Sequence, residues 1–146
     1  MKSHSLQRLL RLRSLLEEVS RVDLEARLQE LRRMESIHAC VRGEAASLSR
    51  RRFAEIAEGR RSDDWREMQV LDVWLAKEKE TLETVLSQKA REAENMKSEY
   101  LEHRKERRQV ESVIAARAHK TSQERGRNDQ RQLDDWFGRR IRSREN

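Results

Sequence analysis

Through the first fifty residues, apolar side chains recur at steps of three and four: Leu6, Leu9, Leu12, Leu16, Val19, Val22 and Ala26, then Leu24, Leu28, Leu31, Met34, Ile37, Val41, Ala45 and Leu48. That spacing is one face of an α-helix, with a stripe that shifts phase near residues 22–26. The second half is stricter. From Leu75, alternating steps of four and three land on Lys79, Leu82, Leu86, Lys89, Ala93, Met96, Tyr100, His103, Arg107, Val110 and Ile114, and eight of these twelve positions are apolar. A seam held over more than five heptads predicts a coiled coil, in which Lys and Arg lay their stems along the groove and keep their charges in water. Glu17 with Arg21 and Asp23 with Arg27 are spaced to support the first helix from its own surface.

The strongest stop-and-start signal before residue 120 is "EGRRSDDW" at 58–65. Gly59 suits the left-handed end of a helix, Ser62 suits the cap of the next, and Asp63 and Asp64 suit its first turn, where the helix dipole favours anions. The predicted fold is therefore all-α: a long two-helix antiparallel coiled-coil hairpin, with a first helix over 1–58, a turn at 59–62 and a second helix over 63–120. A single continuous helix in a parallel dimer is the alternative, and it leaves the turn chemistry unused. With the turn near residue 60, residue i faces roughly residue 121 minus i. Residues 121–146 then form a basic C-terminal overhang, on a helix that would measure about 110 Å from 63 to 137 at 1.5 Å per residue.

Composition agrees with thin, helical packing. Of the 146 residues 35% are hydrophobic and 41% charged, there is no proline, and aromatic residues make up 4%, against about 45–50% apolar and about 25% charged in an average domain. Charge is unevenly placed. Residues 1–103 hold 20 basic and 20 acidic side chains, whereas 104–146 hold 13 and 7 and so carry the whole net charge of +6. Residues 1–13 add Lys2, Arg8, Arg11 and Arg13 with no acid. The hairpin brings these beside the basic C-terminal stretch, so its open end is expected to meet an acidic or phosphate-bearing partner.

Within the overhang, Leu133, Trp136, Phe137 and Ile141 recur at i, i+3, i+4 and i+8 inside an arginine-rich run. They share one helical face with no intramolecular helix left to cover it. Docking to another protein is one reading, and a fold-back or self-association that covers the Trp and Phe is the other. Gly126 and Asn128 weaken the joint before this face, which makes it a candidate hinge.

Catalytic chemistry is missing. His4, His38, His103 and His119 are scattered, and His38 and Cys40, two apart on a helix, point to different faces. The four glycines are isolated, so no phosphate-binding loop exists. Neither catalysis, a cofactor, a metal nor a small-molecule substrate is expected. Nucleic acid is disfavoured although the pI is near 10.0, because no recognition motif accompanies the charge and Asp129, Asp134 and Asp135 would face the same phosphates. The lone Cys40, an N-terminal stretch whose leucines are interrupted by arginines, and the lack of a long apolar run point to a cytosolic protein that reaches membranes only through a partner or a surface.

The stretches "LQRLLRLRSLLEEVSRVDLEARLQEL", "WREMQVLDVWLAKEKETLE" and above all "HRKERRQVESVIAARAHKTSQERGRNDQRQLDDWFGRR" resemble the FliJ family of flagellar type III export, together with its injectisome counterparts of the YscO type. The resemblance covers nearly the whole length. It implies a hairpin similar to the central coiled coil of rotary ATPases, with both termini in the pore of a hexameric export ATPase whose ring assembly it promotes. It also implies contact with the cytoplasmic domain of the export gate, escort of export chaperones, and peripheral association with the inner membrane. ATPase contact is then expected from Leu133, Trp136, Phe137, Ile141, Arg8, Arg11 and Arg131. Gate contact is expected from Leu71, Trp74 and Leu75; Leu71 stands where an aromatic side chain would be no surprise, Trp74 lies close by, and Leu75 fits seam packing equally well. A purely structural coiled-coil spacer or homo-oligomer is the reading from a different class. The injectisome stalk is not separable from the flagellar one by these residues.

Overall fold

The computed structural model describes residues 2–59 and 64–143, with side chains from residue 4 onward. Two helices account for nearly all of it: α1, Lys2–Ala57, and α2, Trp65–Arg142. No strand occurs among the described residues. The chain is an all-α helical hairpin.

Without proline, nothing in either half forces a break, and α1 ends where glycine permits one. Gly59 takes φ +68°, a left-handed conformation that costs a side chain about 1 kcal/mol or more and costs glycine nothing. The first α2 bond is donated by Met68 N to Asp64 O at 2.9 Å, which makes Asp64 the residue flanking the helix start. The expected roles of Ser62 and Asp63 lie outside the described residues. At the far end α2 runs through Gly126 and Asn128 without interruption, so the weak joint expected there is ordinary helix.

The chain forms two compact units, residues 18–101 and residues 1–17 with 102–146. In the first, the hairpin unit, the helices pair antiparallel around an apolar centre. Leu48, Met68 and Leu75 are buried together, with Val41, Ala45 and Trp65 packed against them, and Leu82 and Ala93 are buried further along α2. Ion pairs join the two helices along the seam. Arg52 Nη1 lies 2.6 Å from Asp72 Oδ2, Lys89 Nζ 3.2 Å from Glu30 Oε2, and Arg27 Nη1 3.3 Å from Glu92 Oε2. His38, half-buried at a seam position, places Nε2 3.4 Å from Glu83. In the second, the terminal unit, Arg13 meets Glu106 and Glu17 meets Arg107. The pairing within each unit follows the register of i against roughly 121 minus i.

All twelve seam positions expected on α2, from Leu75 to Ile114, are buried or half-buried. On α1 the stripe departs from expectation. Most of its covered positions keep one heptad phase: Leu10, Glu17, Leu24, Leu31, His38, Ala45 and Arg52 are seven apart, as are Leu6, Arg13, Ser20, Met34, Val41, Leu48 and Glu55 except that Leu28 is covered in place of Arg27, and Leu16 is covered beside Glu17. From Leu24 onward the expected stripe is covered at Leu24, Leu28, Leu31, Met34, Val41, Ala45 and Leu48, whereas Leu9, Leu12, Val19, Val22, Ala26 and Ile37 of it are exposed. The reason lies across the interface. α2 offers a single unbroken seam, and Arg13 and Glu17 find opposite charges on it, so polar side chains hold positions that the leucines beside them do not. The same geometry redirects the surface pairs. Glu17 gives its carboxylate to Arg107, Arg21 is held by Glu18 and Glu25, and Arg27 reaches Glu30 and Glu92.

Leu75 is 1% exposed, so Leu75→Ala leaves a cavity and is expected to cost about 2–5 kcal/mol, read as a fall in melting temperature. Glu30 behaves differently. The hydrogen bond from Lys89, then its charge, with Arg27 beside them, holds the Glu30 carboxyl below the ordinary carboxylate range. A carboxyl depressed in the folded state adds stability above its unfolded pKa and loses it as the pH falls through the folded value. Glu30→Gln should therefore lower the melting temperature slightly at neutral pH and leave it unchanged at about pH 2. Equal effects at both pH values would show that the carboxylate charge is not what matters there.

Candidate functional site

In the terminal unit, α2 outlasts its partner. Ile114 is the last half-buried seam residue, and every residue from 115 to 137 is exposed. Where α1 begins, Leu6 and Gln7 line a groove with Ile114, Arg117, Ala118, Thr121, Ser122 and Arg125 of α2. The helix continues on its own beyond that point.

It carries Leu133, Trp136, Phe137 and Ile141 as exposed side chains on one face, Trp136 at 49% and Phe137 at 55% exposure. No described residue folds back over them. Trp136 and Phe137 meet edge to face, with centroids 5.0 Å apart and planes at 78°, and the Arg140 guanidinium lies 4.9 Å from the Trp136 ring centre. Two rings fixed against each other and a cation held on one of them lose little freedom on docking, as anchor residues of an interface should. Arg139, Arg140 and Arg142 occupy the last turn, where the helix dipole favours cations, and Arg142 Nε donates to Gly138 O at 3.3 Å.

Arg8, Arg11 and Arg131 are exposed, yet the structure does not gather all seven residues expected to meet an ATPase. α1 reaches along α2 only as far as the groove that ends at Arg125. Trp136 lies eleven residues further on, about 16 Å at helical rise. Arg8 and Arg11 thus form one basic group on α1, and the aromatic face with Arg131 forms another on α2. Arg13, counted with the basic N-terminal cluster, is engaged by Glu106.

A second apolar surface lies in the hairpin unit. Leu71 and Trp74 are exposed and, with Arg66, Glu67 and Val70, line a shallow recess. Leu75 does not share it, since its side chain packs with Leu48 and Met68. The seam thus claims Leu75, and the outward-facing part of the expected gate contact reduces to Leu71 and Trp74. Sequence reasoning missed Val70 and Val73 on α2 and Phe53 and Ile56 on α1, all exposed. Their signal was present: they are large apolar residues off the α2 seam of 68, 72, 75 and 79, or off the α1 seam of 48, 52 and 55. Nearby, Arg52 joins the two helices by pairing with Asp72 and resting 5.4 Å from the Trp65 ring centre.

Among the described residues no group of three His, Cys, Asp or Glu side chains could hold a metal, and no helix is long and apolar enough to cross a membrane. Cys40 is exposed. The geometry offers two exposed apolar surfaces framed by charge, suited to binding other macromolecules.

No curated protein and no solved structure matches this sequence. The family model described as "Flagellar FliJ protein" matches residues 1–146. Agreement over that span, in a chain built as two long helices with an aromatic close near its C-terminus, settles the relationship: the chain belongs to the FliJ family.

Proposed function

We propose that this FliJ-family chain is a central stalk and adaptor of the flagellar protein export apparatus, working in the cytoplasm and drawn to the inner membrane through its partners. Family membership carries the general role of a non-enzymatic helical component of flagellar export. The finer reading rests on one observation: an aromatic face, Leu133, Trp136, Phe137 and Ile141, framed by arginines on a helix that has run past its partner. Such a face fits the inner wall of a hexameric export ATPase, with Arg8 and Arg11 supplying further positive charge. By binding assembled subunits better than separate ones, the stalk would favour the ring by mass action. Leu71 and Trp74, with Val70 beside them, are the candidate contact for the cytoplasmic domain of the export gate. Export chaperones are the third class of partner.

Two substitutions separate the surfaces. Trp136→Ala with Phe137→Ala is expected to weaken association with the export ATPase by at least about tenfold, and to abolish stimulation of ring assembly and ATP hydrolysis. Helicity by circular dichroism should not change. Unaltered ATPase binding would remove the observation on which the proposal stands. Leu71→Ala with Trp74→Ala should reduce capture of the gate domain while moving stability by no more than about 0.5–1 kcal/mol, the range for exposed positions. A large loss of melting temperature would instead assign these two side chains to the packing of the hairpin unit.

A further inference from the structure

The first turns of α1 are only partly amphipathic: Leu6, Leu10 and Leu16 are half-buried, but charged residues share the covered face with them. Between residues 4 and 17, the positions turned toward α2 include Arg13 and Glu17, whereas Leu9, Leu12 and Leu15 are exposed, Leu15 at 64%. Helices that pack by burying an apolar stripe keep such charges on the outer face. What holds the segment is a cluster of charges. Arg13 Nη1 lies 2.5 Å from Glu106 Oε2, and Arg107 joins Glu17 of α1 to Glu111 of its own helix. His103 Nδ1, buried and without a hydrogen bond, sits 3.6 Å from the same Glu106 oxygen, so the layer is costly to close even when formed. The apolar contribution is thin. Leu6, Leu10, Leu16, Val110 and Ile114 are only half-buried, and no described residue of the terminal unit is fully buried. The hairpin unit, by contrast, buries Leu48, Met68, Leu75, Leu82 and Ala93.

We propose that residues 4–17 are a releasable arm, held to α2 by this ionic clasp and freed from it without unfolding of the hairpin unit. Partly exposed ion pairs are weak and are screened by salt, with a Debye length of about 10 Å at 0.1 M and about 3 Å at 1 M, whereas apolar packing does not weaken this way. Release bares Leu6, Leu10 and Leu16 on the arm and Val110 and Ile114 on α2. The terminal unit thereby gains a second, apolar pairing surface in addition to its outward leucines. A counter-charged partner that competes for Arg13 or Glu106 would open the clasp as salt does. This device does not depend on which macromolecule binds the Trp136 face.

Hydrogen exchange read by mass spectrometry on the full chain tests it, in about 0.05 M and about 1 M sodium chloride. Exchange in 4–17 and 103–116 should speed up roughly tenfold or more at high salt, and exchange in 40–57 and 68–96 by less than about twofold. Leucine at all four clasp positions (Arg13→Leu and Glu17→Leu with Glu106→Leu and Arg107→Leu), which replaces both ion pairs by apolar seam, should abolish the salt response. Arg13→Glu should open the arm already at low salt, and adding Glu106→Arg should close it again. Three results would overturn the proposal: an arm exchanging freely at both salts, an equal salt response in both units, or a salt response that survives the leucine variant. If the leucine variant fails to fold, the charge-reversal pair decides alone, since failure of Glu106→Arg to restore protection contradicts the clasp.

Discussion

Two helices can cover only the side chains along the line where they meet, and in this chain that line is a single heptad seam. A two-helix pair has no interior to share among several layers, so each seam position is answerable to the residue opposite it. Leu75 against Leu48 and Met68 is the tightest point of the arrangement. From it, alternating steps of three and four fix which face of α2 is covered as far as Ile114, and that face fixes the register of α1. Exposure of the remaining apolar residues follows directly. Once seven-residue steps have claimed Leu75 and Leu82, Val70, Leu71, Val73 and Trp74 have nowhere inside to go.

The seam is not uniform in chemistry. In the hairpin unit Leu48, Met68, Leu75, Leu82 and Ala93 are buried in it, and the charged seam residues Arg52, Asp72 and Lys89 stand between these apolar layers, Arg52 paired with Asp72 and Lys89 with Glu30. In the terminal unit charges stand in the seam itself, at Arg13, Glu17, Glu106 and Arg107. Between buried apolar layers such pairs add a little stability and help to fix register, whereas in the terminal unit they replace the apolar contact that would otherwise close the layer. The two units therefore differ in how firmly their helices are held, although one sequence periodicity runs through both.

Function, on this view, belongs to what the seam leaves outside. Under the proposed function the working parts are surfaces where large apolar side chains remain in water. The Trp136 and Phe137 pair with Arg140 is one, and the Leu71 and Trp74 recess is the other. Both consist of ring-bearing or branched side chains beside arginine, which gives apolar contact area and charge steering in the same patch.

Much of this was legible in the residues alone. The heptad from Leu75 to Ile114, the break at Gly59, the concentration of basic charge after residue 103 and the isolated Leu-Asp-Asp-Trp-Phe stretch are local properties, because helical period, turn conformation and charge are set by neighbours in sequence. The side of α1 that faces α2 was not. Leu9, Leu12, Val19 and Val22 make a better stripe by spacing than Leu10, Arg13, Glu17 and Ser20, and it is the pairing with α2, where Arg13 meets Glu106 and Glu17 meets Arg107, that accommodates the poorer one. Likewise Leu71 and Leu75 look equivalent in sequence, being four apart on one helix, until the packing of Leu48 and Met68 buries one and leaves the other in solvent. Sequence determined where the helices begin, how they repeat and where their charge lies; tertiary structure decided which face each turns inward, because that choice depends on residues as far apart as 13 and 106.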